Sequence, residues 1–358
     1  MEKTSMTAIQ QRSSALGQLG GVMRALGSGS PWPGHSIGLA EAEYDELEAC
    51  IRRAHQFNGW ATEEQVCFAF GAWGDSLTTA SIAEWLHAYP GLQDEPESVK
   101  SIGLILAGNV PLVGLHDVLS VFITGHRARI KCSSQEPELI PALIGVLDHF
   151  VLGTSGRLTV VREKLGEVDA LVATGSDNTA RYFEHYFGHL PRIVRKNRVS
   201  IAVLDGSETD EQLAALGEDV FRYFGLGCRN VSKLLVPRAF DLDRLFGAIF
   251  PWKDIVHHKK YGNNYDYTRA LWMLDRVPFI ENGFLLLKED EAIASPVASL
   301  FYQRYDTKDD VAAYIEANKQ RIQCVVARDG IAFGEAQHPA LSDYADGVDT
   351  LEFLIGLR

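Results

Sequence analysis

An α/β fold built on parallel sheets is what this chain of 358 residues predicts, and three observations lead to it. From residue 101 onward, short β-rich apolar runs alternate with helical stretches, the grammar of βαβ units. Runs such as Ile102-Gly103-Leu104-Ile105-Leu106 are apolar without alternation, as strands covered on both faces are. The composition, 46% hydrophobic and 23% charged, is that of an ordinary globular protein, and the length suits two domains or one large α/β unit with an appendage.

The elements follow in order. Gly27-Ser28-Gly29-Ser30-Pro31-Trp32-Pro33-Gly34 is the one linker-like stretch, so a short arm or an isolated helix is expected before it. Helices are expected over 41–55 and 62–88, from apolar residues at helical spacing and the stop at Pro90-Gly91. The run 101–125 is apolar enough to test as a membrane span, but Gly108-Asn109-Val110-Pro111 would break such a helix, so no span is expected. It reads instead as a strand (102–107), a loop and a helix (112–124). A strand at 128–132 and a helix at 137–152 come next, then a strand at 170–173, a helix at 178–187 and a strand at 199–204. After Asp205 a helix runs to Phe224, followed by a Gly-Leu-Gly-Cys turn and a strand at 233–237. Strands at 284–288, 297–305 and 322–327, with a helix at 309–318, complete the pattern.

A net charge of -13 argues against nucleic acid as a partner, since phosphate neutralisation needs a basic surface. The five cysteines (Cys50, Cys67, Cys132, Cys228, Cys324) lack paired short spacing, which argues against a disulfide framework and a CxxC zinc site. A reducing compartment is implied. The N-terminal residues lack the apolar core of a secretory signal, so the cytoplasm is the expected location.

Among residues suited to chemistry, Gly225-Leu226-Gly227-Cys228-Arg229-Asn230 is the densest signal. Flanking glycines permit a tight turn that presents one thiol, and Arg229 would favour its thiolate. Cys228 is thus a nucleophile or, alternatively, a buried core cysteine. Asn109 follows a buried strand, at the sheet edge where ligands bind; it reads as an oxyanion donor or as a helix N-cap. Thr174-Gly175-Ser176 holds the same strand-to-helix position one unit later, with backbone N–H groups able to face a phosphate, although no GxGxxG fingerprint is present. Lys131-Cys132-Ser133-Ser134 offers a cation and two hydroxyls, for ribose or phosphate, or else a solvated strand end. The adjacent pair His257-His258 diverges on helix or strand and has no Cys or carboxylate cluster beside it, so no metal is assigned. Residues 261–267, Tyr-Gly-Asn-Asn-Tyr-Asp-Tyr, read as a polar aromatic loop, either a pocket lip or a surface turn.

Taken together, the segments GNVPLVGLHDVLSVFITGH, VATGSDNTARYFEHYFG, RKNRVSIAVLDG, YFGLGCRNVSKLLVP, HHKKYGNNYDY, NGFLLLKEDEAIASP and YADGVDTLEFL resemble the acyl-CoA reductases related to the reductase subunit of the bacterial bioluminescence fatty-acid reductase, a branch of the aldehyde dehydrogenase superfamily. They occur in family order from about residue 101 to the end.

The resemblance implies an aldehyde-dehydrogenase-like fold of two doubly wound α/β domains with a small oligomerisation extension. The expected division is N-terminal helices and cofactor domain over 1–204, catalytic cysteine domain over 205–330 and extension over 331–358. It further implies that Cys228 accepts the acyl group and that Asn109 and the Cys228 N–H form the oxyanion hole. Lys131 would contact the adenosine ribose, with Ser133 and Ser134 beside it, and Thr174, Gly175 and Ser176 would lie by the cofactor phosphates. Hydrolytic members carry a Glu-Leu-Gly-Gly-Lys base where this chain reads Ile193-Val194-Arg195-Lys196-Asn197, which favours reductive or acyl-transfer chemistry. Ser134 replaces a ribose-binding Glu and tolerates a 2′-phosphate, hence NADPH as the expected cofactor. The Glu-x-Phe motif near the nicotinamide ribose is replaced around Ala292-Ile293-Ala294. The expected activity is reduction of an acyl-CoA to an aldehyde. Expected partners are the activated acyl substrate, an acyl-activating protein and further copies of the chain. Another activated acyl group as substrate, or a non-reducing acyl-carrying role, is the alternative.

Overall fold

The computed structural model of the chain describes residues 6–92, 95–175 and 187–357. They fall into two compact units, residues 1–196 with 339–358, and residues 197–338.

The first unit opens with helices α1 (Ala8–Gly27), α2 (Glu41–Phe57), α3 (Glu63–Ser76) and α4 (Thr79–His87). Thr7 starts α1 in a reciprocal capping box with Gln10, and the helix buries Leu16, Leu19, Val22, Met23 and Leu26. It is therefore a core element, neither an arm nor an isolated helix. Its seam with α3 is close: a Cβ on Gly74 would lie 2.6 Å from the Arg24 backbone nitrogen. The helix expected over 62–88 is two helices, because the Thr78 hydroxyl accepts from the Ser81 N–H at 3.1 Å and starts α4.

The sheet of this unit comprises β1 (Ser101–Ile105), β2 (Arg127–Lys131), β3 (Leu158–Val160), β4 (Ala170–Thr174) and β5 (Arg192–Arg195), in the order β3-β2-β1-β4-β5. Every pairing is parallel. Strand order reverses between β1 and β4, the position at which doubly wound sheets open a crevice beyond their carboxyl ends. Helices α5 (Leu115–Thr124), α6 (Leu139–Phe150) and α7 (Thr154–Arg157) connect the strands. The helix expected at 178–187 lies outside the described residues but for Phe187. No helix among the described residues is long and apolar enough to cross a membrane.

Residues 339–358 return to this unit and end in a short helix, Thr350–Ile355, packed on α5. Their fixings are polar as well as apolar. His116 Nε2 lies 2.9 Å from the Leu341 carbonyl, the Trp85 indole donates to the Tyr344 hydroxyl at 2.7 Å, and the Arg195 guanidinium donates to Thr350 Oγ1 at 2.8 Å.

The second unit is built on β6 (Val199–Val203), β7 (Val231–Pro237), β8 (Ile280–Glu281), β9 (Leu286–Glu289), β10 (Ser299–Tyr305) and β11 (Ile322–Val326), ordered β11-β6-β7-β10-β9-β8. Only β8 runs antiparallel to its neighbour. Helices α8 (Asp210–Phe221), α9 (Leu242–Ala248), α10 (Lys259–Leu274) and α11 (Lys308–Asn318) accompany it. The expected loop at 261–267 is part of α10. Tyr261, Tyr265, Thr268 and Trp272 are its buried face at helical spacing, and the Tyr261 and Tyr265 hydroxyls donate to the Phe284 carbonyl (3.0 Å) and to Glu281 (2.6 Å).

Candidate active site

Cys228 stands in the turn between α8 and β7. At the end of α8 the chain passes through Tyr223, Phe224 and Gly225 with φ of 53°, 58° and 75°. Only glycine takes that left-handed conformation cheaply; each of the other two costs about 1–2 kcal/mol. Packing offsets the cost: Tyr223 and Phe224 are buried, and the Phe224 ring stacks on His258 with centroids 4.2 Å apart.

Asn230, 2% exposed, ties the turn together. Its Oδ1 accepts from the Gly227 N–H at 2.7 Å, and its Nδ2 donates to the carbonyls of Asp219 (3.1 Å) and Arg222 (2.8 Å). From β6 the Ser200 hydroxyl donates to the Cys228 carbonyl at 3.0 Å and lies 3.0 Å from Cys324 Sγ. The backbone on either side of the thiol is thereby fixed, and the cysteine itself is half-buried.

Arg229 is engaged with the Ala336 carbonyl through Nε. The segment that carries this carbonyl is held by Asp219, whose carboxylate accepts from the Gly334 N–H (2.7 Å) and the Ala336 N–H (2.9 Å) while burial pushes its pKa up to about 6. Burial also pushes the thiols of Cys50 and Cys67 up, and that of Cys132 up to about 12, which keeps all three protonated at neutral pH.

In the first unit, register sets Lys131 beside Ile105 and Ile105 beside Ala173. The residues that follow β1, β2 and β4 thus share one carboxyl edge. Asn109, Lys131 and Ser134 are exposed there, with Ser133, Thr174 and Gly175 half-buried. Six of the candidates are brought to that edge; Ser176 lies outside the described residues, and Cys228 belongs to the second unit. The loops after β1 and β2 touch, since a Cβ on Gly108 would lie 2.7 Å from Ser133 Cβ. The Ser133 hydroxyl accepts locally from the Gln135 N–H at 3.2 Å. Asn109 does not cap α5, whose N-cap is Gly114. It is the exposed residue between buried Gly108 and Val110.

Two residues of this edge carry no local signal in the sequence. Asn58, at the end of α2, donates through Nδ2 to the Gly108 carbonyl at 2.9 Å. The Glu136 carboxyl accepts from the Leu112 N–H at 2.7 Å, and burial pushes it up to about 8. The segment 193–197 supplies no carboxylate. Its Arg195 is buried in β5 against Asp117 and Thr350. Ile293, 1% exposed, is a core residue packed with Ile201 and Leu235.

No family model matches the sequence. The chain is 26% identical over 196 residues to the long-chain acyl-protein thioester reductase 2 of Photobacterium leiognathi, a match that takes in 49% of this chain and 40% of that protein. The chain thus spans less than half the length of that relative. Among solved structures, aldehyde dehydrogenase 21 of Physcomitrella patens superposes with a TM-score of 0.63 at 10% identity, over 98% of this chain and 84% of that one. The NAD-dependent aldehyde dehydrogenase of Sinorhizobium meliloti gives 0.62 at 12% identity, over 90% and 71%. The indole-3-acetaldehyde dehydrogenase of P. syringae, solved with NAD+, gives 0.56 at 16% identity, over 89% and 82%. The fold is that of the aldehyde dehydrogenases, and the resemblance to fatty acyl thioester reductases seen in the motifs extends to this Photobacterium relative.

Proposed function

We propose that this chain reduces a fatty acyl thioester to an aldehyde through an acyl-cysteine at Cys228, with NADPH as reductant. One observation carries the reading furthest: a half-buried thiol in a turn whose backbone is held by Ser200 and Asn230. The aldehyde dehydrogenase fold and the likeness to an acyl-protein thioester reductase support it.

Cys228 Sγ attacks the acyl carbonyl carbon; a new C–S bond forms, the bond to the donor thiol breaks, and that thiol leaves with a proton. The Asn109 amide and the Cys228 N–H hold the oxyanion of the tetrahedral intermediate. The first unit is the cofactor-binding one. Its carboxyl edge has the chemistry a dinucleotide needs, with an exposed cation at Lys131 and hydroxyls at Ser133, Ser134 and Thr174 beside Gly175. NADPH held there would supply the hydride that reduces the Cys228 thioester to a thiohemiacetal. The C–S bond of that adduct then breaks, freeing aldehyde and regenerating the thiol. Ser134 carries no charge to repel a 2′-phosphate, which favours NADPH over NADH. Because Arg195 occupies the core where hydrolytic relatives are expected to keep their base, this segment holds nothing to activate water against the thioester.

The donor thiol is coenzyme A or a protein thiol; the name of the Photobacterium relative favours the second. The test is incubation with a long-chain acyl-CoA and with a long-chain acyl-protein thioester, each with NADPH or NADH, read by aldehyde trapping and by mass spectrometry. The expected adduct is on Cys228 and on none of Cys50, Cys67, Cys132 or Cys324, with kcat/KM higher for NADPH. Cys228→Ala is expected to lose acylation and aldehyde output while still binding NADPH. Aldehyde formation by Cys228→Ala at the wild-type rate overturns the reading; acylation without reduction leaves an acyl carrier instead.

A further inference from the structure

We propose that Asn58 and Glu136 are positioning residues that fix the Gly108–Leu112 loop and so aim the Asn109 amide at the acyl oxygen. The inference rests on the acyl-reductase reading above and assigns work to two residues outside it.

The loop is held at both ends of a span that has Asn109 inside it. On one side, Asn58 is 3% exposed, and its amide is locked because Oδ1 accepts from the Trp60 N–H at 3.1 Å while Nδ2 donates to the Gly108 carbonyl. On the other, Glu136 is 8% exposed and takes the Leu112 N–H, while its own N–H donates to the Ser133 carbonyl at 3.1 Å. Leu112 has φ of 58°, a conformation a leucine keeps only where its surroundings impose it. Gly108 is pressed on Ser133, which leaves the loop no room on that face. Asn109 itself is exposed, in the span between the anchored Gly108 carbonyl and the anchored Leu112 N–H. An oxyanion donor works through placement, and a displacement of about 1 Å costs up to about 100-fold in rate.

Glu136 is suited to this as an uncharged group. Its carboxyl is raised by burial, and the bond from Leu112 only partly opposes that. It borders a cavity of about 10 Å³ shared with Gly108 and Pro111, room for about one water. The titratable groups around that cavity are the Cys50 thiol and Glu138, the latter paired with Arg53 at 2.9 Å, and Cys132 lies close by in sequence and field. The cation beside them, Arg53, is engaged by Glu138 and by the Cys50 thiol. The Leu112 N–H is accepted by either form of the carboxyl, so the clamp does not need ionisation; keeping the buried carboxyl uncharged costs stability progressively as pH rises from about 4.5 to about 8.

The test compares Glu136→Gln, Glu136→Leu and Asn58→Ala with wild type. Three quantities are measured: acyl transfer from a long-chain acyl-CoA to Cys228 without cofactor, alkylation of Cys228 by iodoacetamide, and hydrogen exchange at the Leu112 amide. Glu136→Leu and Asn58→Ala are expected to slow acyl transfer by about 10- to 100-fold with alkylation within about twofold of wild type. Glu136→Gln, which keeps an uncharged acceptor, is expected to retain the rate. The ratio of acylation to alkylation cancels the thiol's own ionisation. Glu136→Leu is expected to speed Leu112 exchange by at least about 10-fold, which a factor of this size reads as a lost hydrogen bond. Wild-type acyl transfer in Glu136→Leu overturns the proposal, as do equal losses of acylation and alkylation. If wild type takes no acyl group, the acyl-reductase reading and the catalytic role both fall, while faster Leu112 exchange in Glu136→Leu alone still establishes the clamp.

Discussion

Asn230 touches no substrate in the proposed reaction, yet the geometry of Cys228 depends on it. Its amide answers one N–H and two carbonyls that the turn leaves inside the protein. Asn230→Ala removes all three partners at once, and a buried polar group left unpaired costs about 1–3 kcal/mol. The expected outcome is a loss of about 2–3 kcal/mol in urea denaturation, accompanied by a changed rate of Cys228 alkylation because the turn is no longer held. The glycines and the thiol of this turn are legible in the sequence, since their spacing alone announces a tight bend. Arg229 shows where such reading stops: adjacency suggested a partner for the thiolate, but the side chain is engaged by a carbonyl 107 residues further on.

Among elements, the helices before the first sheet depart furthest from expectation. The Gly-Ser-Pro stretch after α1 suggests separation, whereas α1 and α3 share the most extensive helix–helix contact among the described residues. Two glycines three residues apart in α3 give a test with opposite signs. Gly74→Ala puts a methyl 2.6 Å from the Arg24 backbone and is expected to cost about 1–3 kcal/mol, as overpacked cores do. A Cβ on Gly71 meets nothing within 4 Å, so Gly71→Ala is expected to be neutral or to stabilise by about 0.5–1 kcal/mol through helix propensity. Thermal melting of the two variants checks both. In α10 the discrepancy has the reverse cause. Glycine and asparagines between the tyrosines suggested a loop, but the tyrosines recur at helical spacing and their hydroxyls find partners at Phe284 and Glu281, so tertiary burial overrides weak local propensity.

On the scale of the whole chain, residues 339–358 complete the first unit, although residues 197–338 come between. Arg195 and Asp117 form an ion pair with side chains only 6% and 4% exposed, and Thr350 supplies a further acceptor to the guanidinium. Thr350→Val keeps the shape and removes that acceptor. It is expected to lower the stability of the first unit by about 1–3 kcal/mol, the range for a hydrogen bond to a buried charge. Hydrogen exchange read by mass spectrometry should show faster exchange in β5 and α5, with peptides from residues 197–338 unchanged; uniform change across both units would contradict this assignment.

By itself the sequence determined the α/β class, the strands of both sheets that it named, and the thiol in its glycine turn. These are local matters: apolar runs of strand length, helical periodicity and glycine spacing act over a few residues. It also carried the likeness to fatty acyl thioester reductases, spread over motifs in a shared order. The tertiary structure decided the rest. That Asn58 and Glu136 grip the loop around Asn109 and that residues 339–358 rejoin β5 depend on contacts between residues 24 to 155 positions apart, while Asn230 turns inward to partners 3 to 11 positions away that its spacing does not announce. No pattern along the chain encodes which buried donor meets which acceptor. That choice is made only when packing excludes water and every enclosed polar group must find a partner.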